Sequence, residues 1–561
     1  MSDRAISAPA EPERVWARLL YAWNLLDRVR PLYVLGPLIV VQWIGVLALA
    51  LTVRHNGWLY YQGGDQLWLW TSSVELVHGH IPYALVSYGW PAMLAPLATI
   101  FGNDLLSALP AIIVVQTLLL LPVALLCMYG IGRRLGGRAF GYWTAVLWIA
   151  VPFLGIRYAQ PGYHQKYTEL NLPEGLGLSA MSDFVSLVAI LVTAYLTIRA
   201  LEDTRLRYSV GCGLALGTAL AIKPSNALFA IAVAIVVAIW GRRRVVLPAV
   251  TALVPTLVTL AIWKDRGLGH LPILGGTGRR PQAMGIAPLA FNPFRQYFNF
   301  HWHQLHENIL QIQEHFWSLR VVEYVVIAGA IALLRRSRAI GVLVIVWFAA
   351  FTIVKGTFSH ASIETGDLLR LLLPMAPPFV LMIASIPFLW PKLRGARPVV
   401  TRPFLSEVGA KRALVVATLV FALWPLALVA YGARSPLRNP DRALFVDALV
   451  PVDASLSPTL THTAGGTVKL AWHGWSPGTA KVFYRVFRTR AGQEINCSGT
   501  GRGGAVQCNL DTKPLAAVRG TAFVDHPGKG RWAYRIGVAA NWLDNTAYGD
   551  VYAISPPVKT Q

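Results

Sequence analysis

A chain of 561 residues that is 55% hydrophobic, 14% charged and of mean hydropathy +0.49 is too apolar for a soluble protein of its length. Its formal charge of +23 would suit a nucleic-acid partner. The basic residues fall instead in short clusters between apolar stretches of about twenty residues, which marks membrane topology and excludes nucleic acid as the partner.

In chain order, Arg14, Arg18, Arg28 and Arg30 precede a first apolar run from Leu32 to Val53. No small-residue cleavage site follows a short apolar core, so the run reads as an uncleaved span with residues 1–31 in the cytoplasm. The next clusters are Arg133-Arg134-Arg138, Arg199-Arg205-Arg207, Arg242-Arg243-Arg244, Arg335-Arg336-Arg338, and Lys392 to Arg412. Each successive pair is separated by enough apolar chain for two crossings, so every cluster can lie in the cytoplasm. The count is then about eleven spans across residues 32–431, a polytopic α-helical membrane protein of the inner (plasma) membrane. The outside segments are His55 to about Asn103, Arg157 to Asp183, a tight turn at Lys223-Pro224-Ser225, Lys264 to Arg320, Lys355 to Arg370, and residues 432–561.

The tail beyond Tyr431 changes character. Val468 to Trp472 alternates, Lys481 to Thr489 is aromatic and extended, and Trp532 to Ala540 alternates again, with turns at Ser476-Pro-Gly478 and Pro527-Gly528. Strands at this spacing predict an extracytoplasmic (periplasmic) β-sandwich. The run Trp532 to Asn541 resembles the penultimate strand of fibronectin type III domains, which makes Trp472 the buried tryptophan of an early strand. Cys497 and Cys508 suit a hairpin-like disulfide in an oxidising compartment, while Cys127 and Cys212 are packing residues within spans.

Ionisable groups near the membrane are costly and mark candidate sites. Directly after the first span comes Tyr60-Tyr-Gln-Gly-Gly-Asp65-Gln66, then a helix with Leu67, Trp70, Val74 and Val77 on one face, then Gly79-His80-Ile-Pro-Tyr83 and Tyr88-Gly-Trp-Pro91. Ser179-Ala-Met-Ser-Asp183 opens a span, Leu220-Ala-Ile-Lys223-Pro224 closes one, and Glu364-Thr-Gly-Asp367-Leu-Leu-Arg370 leads into a late one. Tyr163 and His164 lie in a polar, aromatic outside loop of the kind sugar sites favour. His301, His303, His306 and Glu307 have a spacing that can gather ligands on a helix face, although an interfacial helix explains them more simply.

In that order, these pieces resemble the GT-C glycosyltransferases, which use lipid-linked sugar donors. The likeness covers roughly the first 390 residues. Two departures stand out: Ser225 follows the Lys223-Pro224 step, and Arg370 lacks the usual tyrosine beside it. The resemblance implies a sugar moving from a polyprenyl-phosphate donor to a glycan, lipid or protein acceptor at the outer face of the membrane. It makes Asp65 the general base and Asp183 the second acidic catalytic residue, which would orient the acceptor or hold a cation. Lys223 and Arg370 would hold the donor phosphate. Tyr88, Tyr163, His164, His360, Glu364 and Asp367 would line the substrate. No cofactor is required, and a divalent metal is admitted. The absence of a P-loop or dinucleotide fingerprint speaks against nucleotide-driven chemistry. The rival readings are a membrane oligosaccharide polymerase or ligase, which the long Lys264–Arg320 loop suits, and a transporter or flippase.

Overall fold

The computed structural model describes residues 21–52, 65–77, 79, 88–102, 105–158, 163, 167–203, 205–268, 300–316, 322–358, 362–363, 367–390 and 412. In the tail it describes 444–445, 459–463, 466–472, 481–490, 515–542, 545–554 and 558–560.

The first part is helical throughout: α1 Pro31–Thr52, α2 Asp65–Val77, α3 Gly89–Phe101, α4 Leu105–Val115, α5 Leu121–Tyr158, α6 Leu172–Gly175, α7 Ser182–Glu202 and α8 Leu206–Ile222. It continues with α9 Ala227–Trp240, α10 Arg243–Leu268, α11 Trp302–Phe316, α12 Val322–Arg336, α13 Arg338–Gly356, α14 Asp367–Leu372 and α15 Ala376–Ser385. Among the described residues, six helices are long and apolar enough to cross a membrane, and three shorter apolar ones accompany them. The longest apolar stretch, Ser107–Ile156, is two crossings rather than one. It breaks at Gly136 and Gly137, where Gly137 takes φ +86. A positive φ is cheap only for glycine. The chain is therefore a multi-pass membrane protein. The span expected to end at Tyr431 lies outside the described residues.

Several of the basic clusters that the sequence places on one side, those next to Asp27, Arg134, Glu202 and Arg336, meet at one end of the helices. The Asp27 carboxylate accepts the Ala139 N–H at 2.7 Å, just past the Gly136–Gly137 break. Arg336 donates to the Leu135 carbonyl at 2.7 Å, and Arg134 pairs with Glu202 at 3.0 Å. Segments far apart in sequence and rich in arginine thus share a single polar end, as the positive-inside pattern requires. Between the two ends the core is apolar, filled by Phe140, Phe153, Phe184, Phe229 and Trp347.

The helix after the first span is present and packs on α3 within the helical core. Of the expected stripe, Trp70 is buried and Val74 and Val77 are half-buried against that core, joined by Gln66, Leu69 and Ser73, while the Leu67 side chain lies outside the described residues.

The tail forms two sheets. One holds β2 (Thr459–Thr463), β3 (Thr467–Ala471) and β6 (Ala522–Asp525), in the order β2-β3-β6. The other holds β1 (Leu444–Phe445), β8 (Asn545–Ile554), β7 (Gly530–Trp542), β4 (Lys481–Arg490) and β5 (Ala516–Val518) in that order, with β9 (Val558–Thr560) also pairing β7. Val468, Leu470, Trp472, Tyr484, Val486, Tyr534 and Ile536 make their shared core, with Trp472 edge-on to Tyr484. The core side chains are spaced two apart along β3 and the residue after it (Val468, Leu470, Trp472), β4 (Tyr484, Val486) and β7 (Tyr534, Ile536), the period-2 pattern read from the sequence. The cysteines Cys497 and Cys508 lie outside the described residues. Cys127 and Cys212 are buried free thiols.

Candidate active site

At the end of the helices opposite the arginine clusters, α7 begins and α8 finishes side by side. Two local devices put them there. Gly177, at φ +76, turns the chain between α6 and α7, where a Cβ would stand 2.7 Å from the Phe184 ring. Pro224 forces its predecessor into extended backbone, and Lys223 is found at φ −147, ψ 112, closing α8. Asp183 thus lies in the first turn of α7 and Lys223 at the C-terminus of α8. Each charge is the one its helix end favours.

The two side chains meet. The Lys223 ammonium donates to Asp183 Oδ1, with the lysine side chain 13% exposed and the aspartate 3%. Three residues further along each chain the contact is repeated by neutral groups, Asn226 Nδ2 donating to Ser186 Oγ at 2.8 Å and to the Ala219 carbonyl at 2.7 Å. This ladder fixes the register of α7 against α8.

The Tyr88–Gly–Trp–Pro91 segment braces the same place. Trp90 Nε1 donates to the Ala180 carbonyl at 2.8 Å, and Gln116 Nε2 to the Ser179 carbonyl at 2.7 Å, holding the approach to Asp183. Gly89 lies so close to Ala221 and Ile222 that a Cβ would sit 2.5 Å from the Ala221 carbonyl carbon. Glycine is the residue that permits this approach beside Lys223. Tyr88 is buried; its hydroxyl donates to the Trp263 carbonyl at 3.2 Å, and Lys264 Nζ lies 4.9 Å from its ring centre.

Three further charged groups complete the cluster. Glu174, on α6, is 2% exposed and in hydrogen-bond contact with Asp183, and it interacts electrostatically with Arg370 and Lys223. Burial, ahead of the Asp183 charge, holds its carboxyl well above the usual carboxylate range. Arg370, on α14, interacts with both acids, and Lys355, buried in the last turn of α13, interacts with Lys223, Asp183 and Arg370. Asn308 on α11 steadies that turn by donating to the Gly356 carbonyl at 2.8 Å. Tyr163 packs behind the cluster, stacked on His315 and edge-on to Phe316, and its hydroxyl accepts from Asn171 Nδ2 at 3.1 Å.

Of the residues singled out in the sequence, the structure therefore brings together Asp183, Lys223 and Arg370. It places Tyr88 and Tyr163 as buried packing residues. Asp65 opens α2 and Asp367 opens α14, while their side chains lie outside the described residues, as do His164, His360 and Glu364. Glu174 and Lys355 were missed. The signal for each was an ionisable residue set in apolar sequence, Leu172-Pro-Glu174-Gly-Leu and Phe351-Thr-Ile-Val-Lys355. His303 and Glu307 are exposed and 3.9 Å apart on α11. Among the described residues no three His, Cys, Asp or Glu side chains gather as a metal-ligand set.

The family described as Dolichyl-phosphate-mannose-protein mannosyltransferase matches residues 175–263. Two solved structures overlap more loosely. An oligosaccharyltransferase of Archaeoglobus fulgidus, tethered to an acceptor peptide, has a TM-score of 0.41 at 13% identity, covering 73% of this chain and 56% of its own. ArnT from Cupriavidus metallidurans in the apo state has a TM-score of 0.37 at 13% identity, covering 77% of this chain and 82% of its own. The chain thus spans little more than half the length of that oligosaccharyltransferase, and overlaps this loose decide nothing about chemistry. No curated protein matches the chain in sequence. The family match falls on the stretch that supplies Asp183 and Lys223, and it supports the resemblance to the GT-C membrane glycosyltransferases.

Proposed function

We propose that this chain transfers a sugar from a polyprenyl-phosphate donor to a glycan, lipid or protein acceptor at the outer face of the inner membrane. The observation that carries the reading is the Asp183–Lys223 pair with Arg370 and Lys355 in its field, at the end of the helices away from the arginine clusters. A lipid phosphate lies at such a depth, and its sugar is within reach of the aqueous side. The matched family is named for a dolichyl-phosphate-linked donor, which is chemistry of the same class.

In this mechanism the acceptor hydroxyl attacks the anomeric carbon, and the bond from that carbon to the phosphate oxygen breaks. Negative charge grows on the departing phosphate. Lys223 and Arg370 stabilise it, the arginine as a two-pronged donor and the lysine as a point charge. Asp183 holds the lysine in place and orients the acceptor. Asp65, at the start of α2, serves as the base that takes the hydroxyl proton. Tyr88, Tyr163, His164, His360, Glu364 and Asp367 remain the substrate-lining set, with Tyr88 and Tyr163 acting as supports for it. The strand order of the tail, β2-β3-β6 against β5-β4-β7-β8, fits a fibronectin type III-like module displayed on the same outer side.

The test is transfer from a panel of radiolabelled polyprenyl-phosphate sugars in membranes, comparing the native protein with Asp65→Asn and Lys223→Ala at matched expression. Transfer by the native protein and its loss in Lys223→Ala supports the reading. Absence of transfer with every donor overturns it.

A further inference from the structure

Glu174 has no part in the scheme above, yet it is among the most deeply buried charged residues at that end of the helices. Its side chain touches Asp183, its Oε1 is buried without a hydrogen-bond partner, and it is 2% exposed. Two carboxyl groups in hydrogen-bond contact need a proton between them, because two bare carboxylates only repel. Asp183 is the one paired with the Lys223 ammonium, which favours its ionised form, so the proton belongs to Glu174. The other groups around Glu174 agree. Arg370 on α14 and Lys223 at the end of α8 act on both acids, Lys355 on α13 acts on Asp183, and the nearby Tyr167 hydroxyl is committed to the Pro152 carbonyl.

We infer that Glu174 is a positioning residue: its neutral carboxyl donates a hydrogen bond to Asp183, aiming the carboxylate at Lys223 and keeping the acidic pair at one negative charge. The consequence for the site is electrostatic. A doubly charged pair would compete with an incoming phosphate for Lys223 and Arg370. A pair with a single charge leaves the described cations in excess and holds the lysine by one oxygen. The proton on Glu174 is thus what makes a buried acidic pair compatible with an anionic ligand. The role of the ligand rests on the transferase reading above, whereas the proton and its direction do not.

The test uses the full chain in lipid nanodiscs with three variants, Glu174→Gln, Glu174→Leu and Asp183→Asn. The infrared difference spectrum between native protein and Glu174→Gln should show the carbonyl stretch of a protonated carboxyl, present in the native protein and lost in the variant. Absence of that band overturns the inference outright. Affinity for polyprenyl monophosphate supplies the second readout. Glutamine keeps a neutral donor toward Asp183, so it should bind within about twofold of native, while leucine should bind about tenfold more weakly. Glutamine binding as poorly as leucine would overturn the positioning role. Native protein that shows the infrared band but binds no polyprenyl phosphate would sink the transferase reading and leave the Glu174 assignment standing. Thermal unfolding of each variant separates misfolding from weakened binding.

Discussion

Two buried charge networks among the described residues are built in opposite ways. In the β domain, Arg488 Nη1 donates to Asp525 at 2.9 Å and the Tyr534 hydroxyl donates to the same carboxylate oxygen at 2.6 Å. The Arg488 guanidinium also rests 4.9 Å from the Trp532 ring centre. One cation meets one anion, a neutral donor completes the set, and the network ties β6 of one sheet to β4 and β7 of the other. Burial and the Asp525 charge push the Tyr534 hydroxyl well above the ordinary phenol range, which keeps it a donor at every working pH. At the membrane end, Lys223, Lys355 and Arg370 gather round the described acids Glu174 and Asp183, of which we infer one to be neutral. A closed one-to-one network is a fastener. A basic cluster round a singly charged acidic pair suits the receipt of an anion, as the proposed function requires.

The contrast can be broken most severely at Lys223. Lys223→Met removes the ammonium hydrogen-bonded to the buried Asp183 and should cost about 3–5 kcal/mol of stability. Adding Asp183→Asn should recover most of that loss in thermal unfolding without restoring transfer, as a binding site predicts and a mere fastener does not. Lys223→Ala should lower transfer by about 100-fold or more, the scale on which fixed charge at a leaving group acts. In the β domain, Tyr534→Phe strips one donor from a buried carboxylate. It should cost about 1–3 kcal/mol in that domain's unfolding and leave polyprenyl-phosphate affinity unchanged. A change in affinity there would mean that the two networks communicate. Trp90→Phe removes the bond to Ala180 and should cost about 1 kcal/mol, with transfer falling several-fold as Asp183 loosens. The smallest effect is expected at Arg134→Ala, which breaks a partly exposed pair with Glu202 worth less than about 1 kcal/mol.

The multi-pass character was readable from the sequence because its signal is local: each apolar run is long enough to cross a membrane and stands next to an arginine cluster. The start of α7 and the end of α8 were readable for a related reason. Asp183 and Lys223-Pro224 sit at helix ends, where a charged residue or a proline interrupts an apolar pattern. The sheets of the tail announced themselves through alternation in Val468–Trp472 and Trp532–Ala540. What stayed hidden depends on pairing across the chain. Nothing in Leu172-Pro-Glu174 says that its carboxyl meets Asp183 nine residues on, and nothing at Lys355 points to Lys223. On α2 apolarity ranked Trp70, Val74 and Val77, which do pack against the core, but not Gln66 and Ser73. Those two are buried beside them because a helix packed among helices can bury small or polar groups that a helix lying on a bilayer would expose. Tyr88 came from the Tyr88-Gly-Trp-Pro91 motif and Tyr163 from a polar aromatic loop, and nothing in either stretch signalled their burial against Trp263 and His315, which depends on chain far away.

The clamp between Asp27 and the Ala139 N–H has a consequence for biogenesis. The carboxylate leaves the ribosome more than a hundred residues before the amide it binds, and the left-handed Gly137 beside that amide is already cut to receive it. Until the Gly136–Gly137 hairpin has been inserted, the amino-terminal segment lacks this clamp, although the first span can already pack on the earlier helices through Trp43, whose indole N–H donates to the Thr117 carbonyl at 2.8 Å. A chain arrested in translation before residue 139 has cleared the ribosome should be open to a protease at Asp27, and one arrested well after it has emerged should be closed.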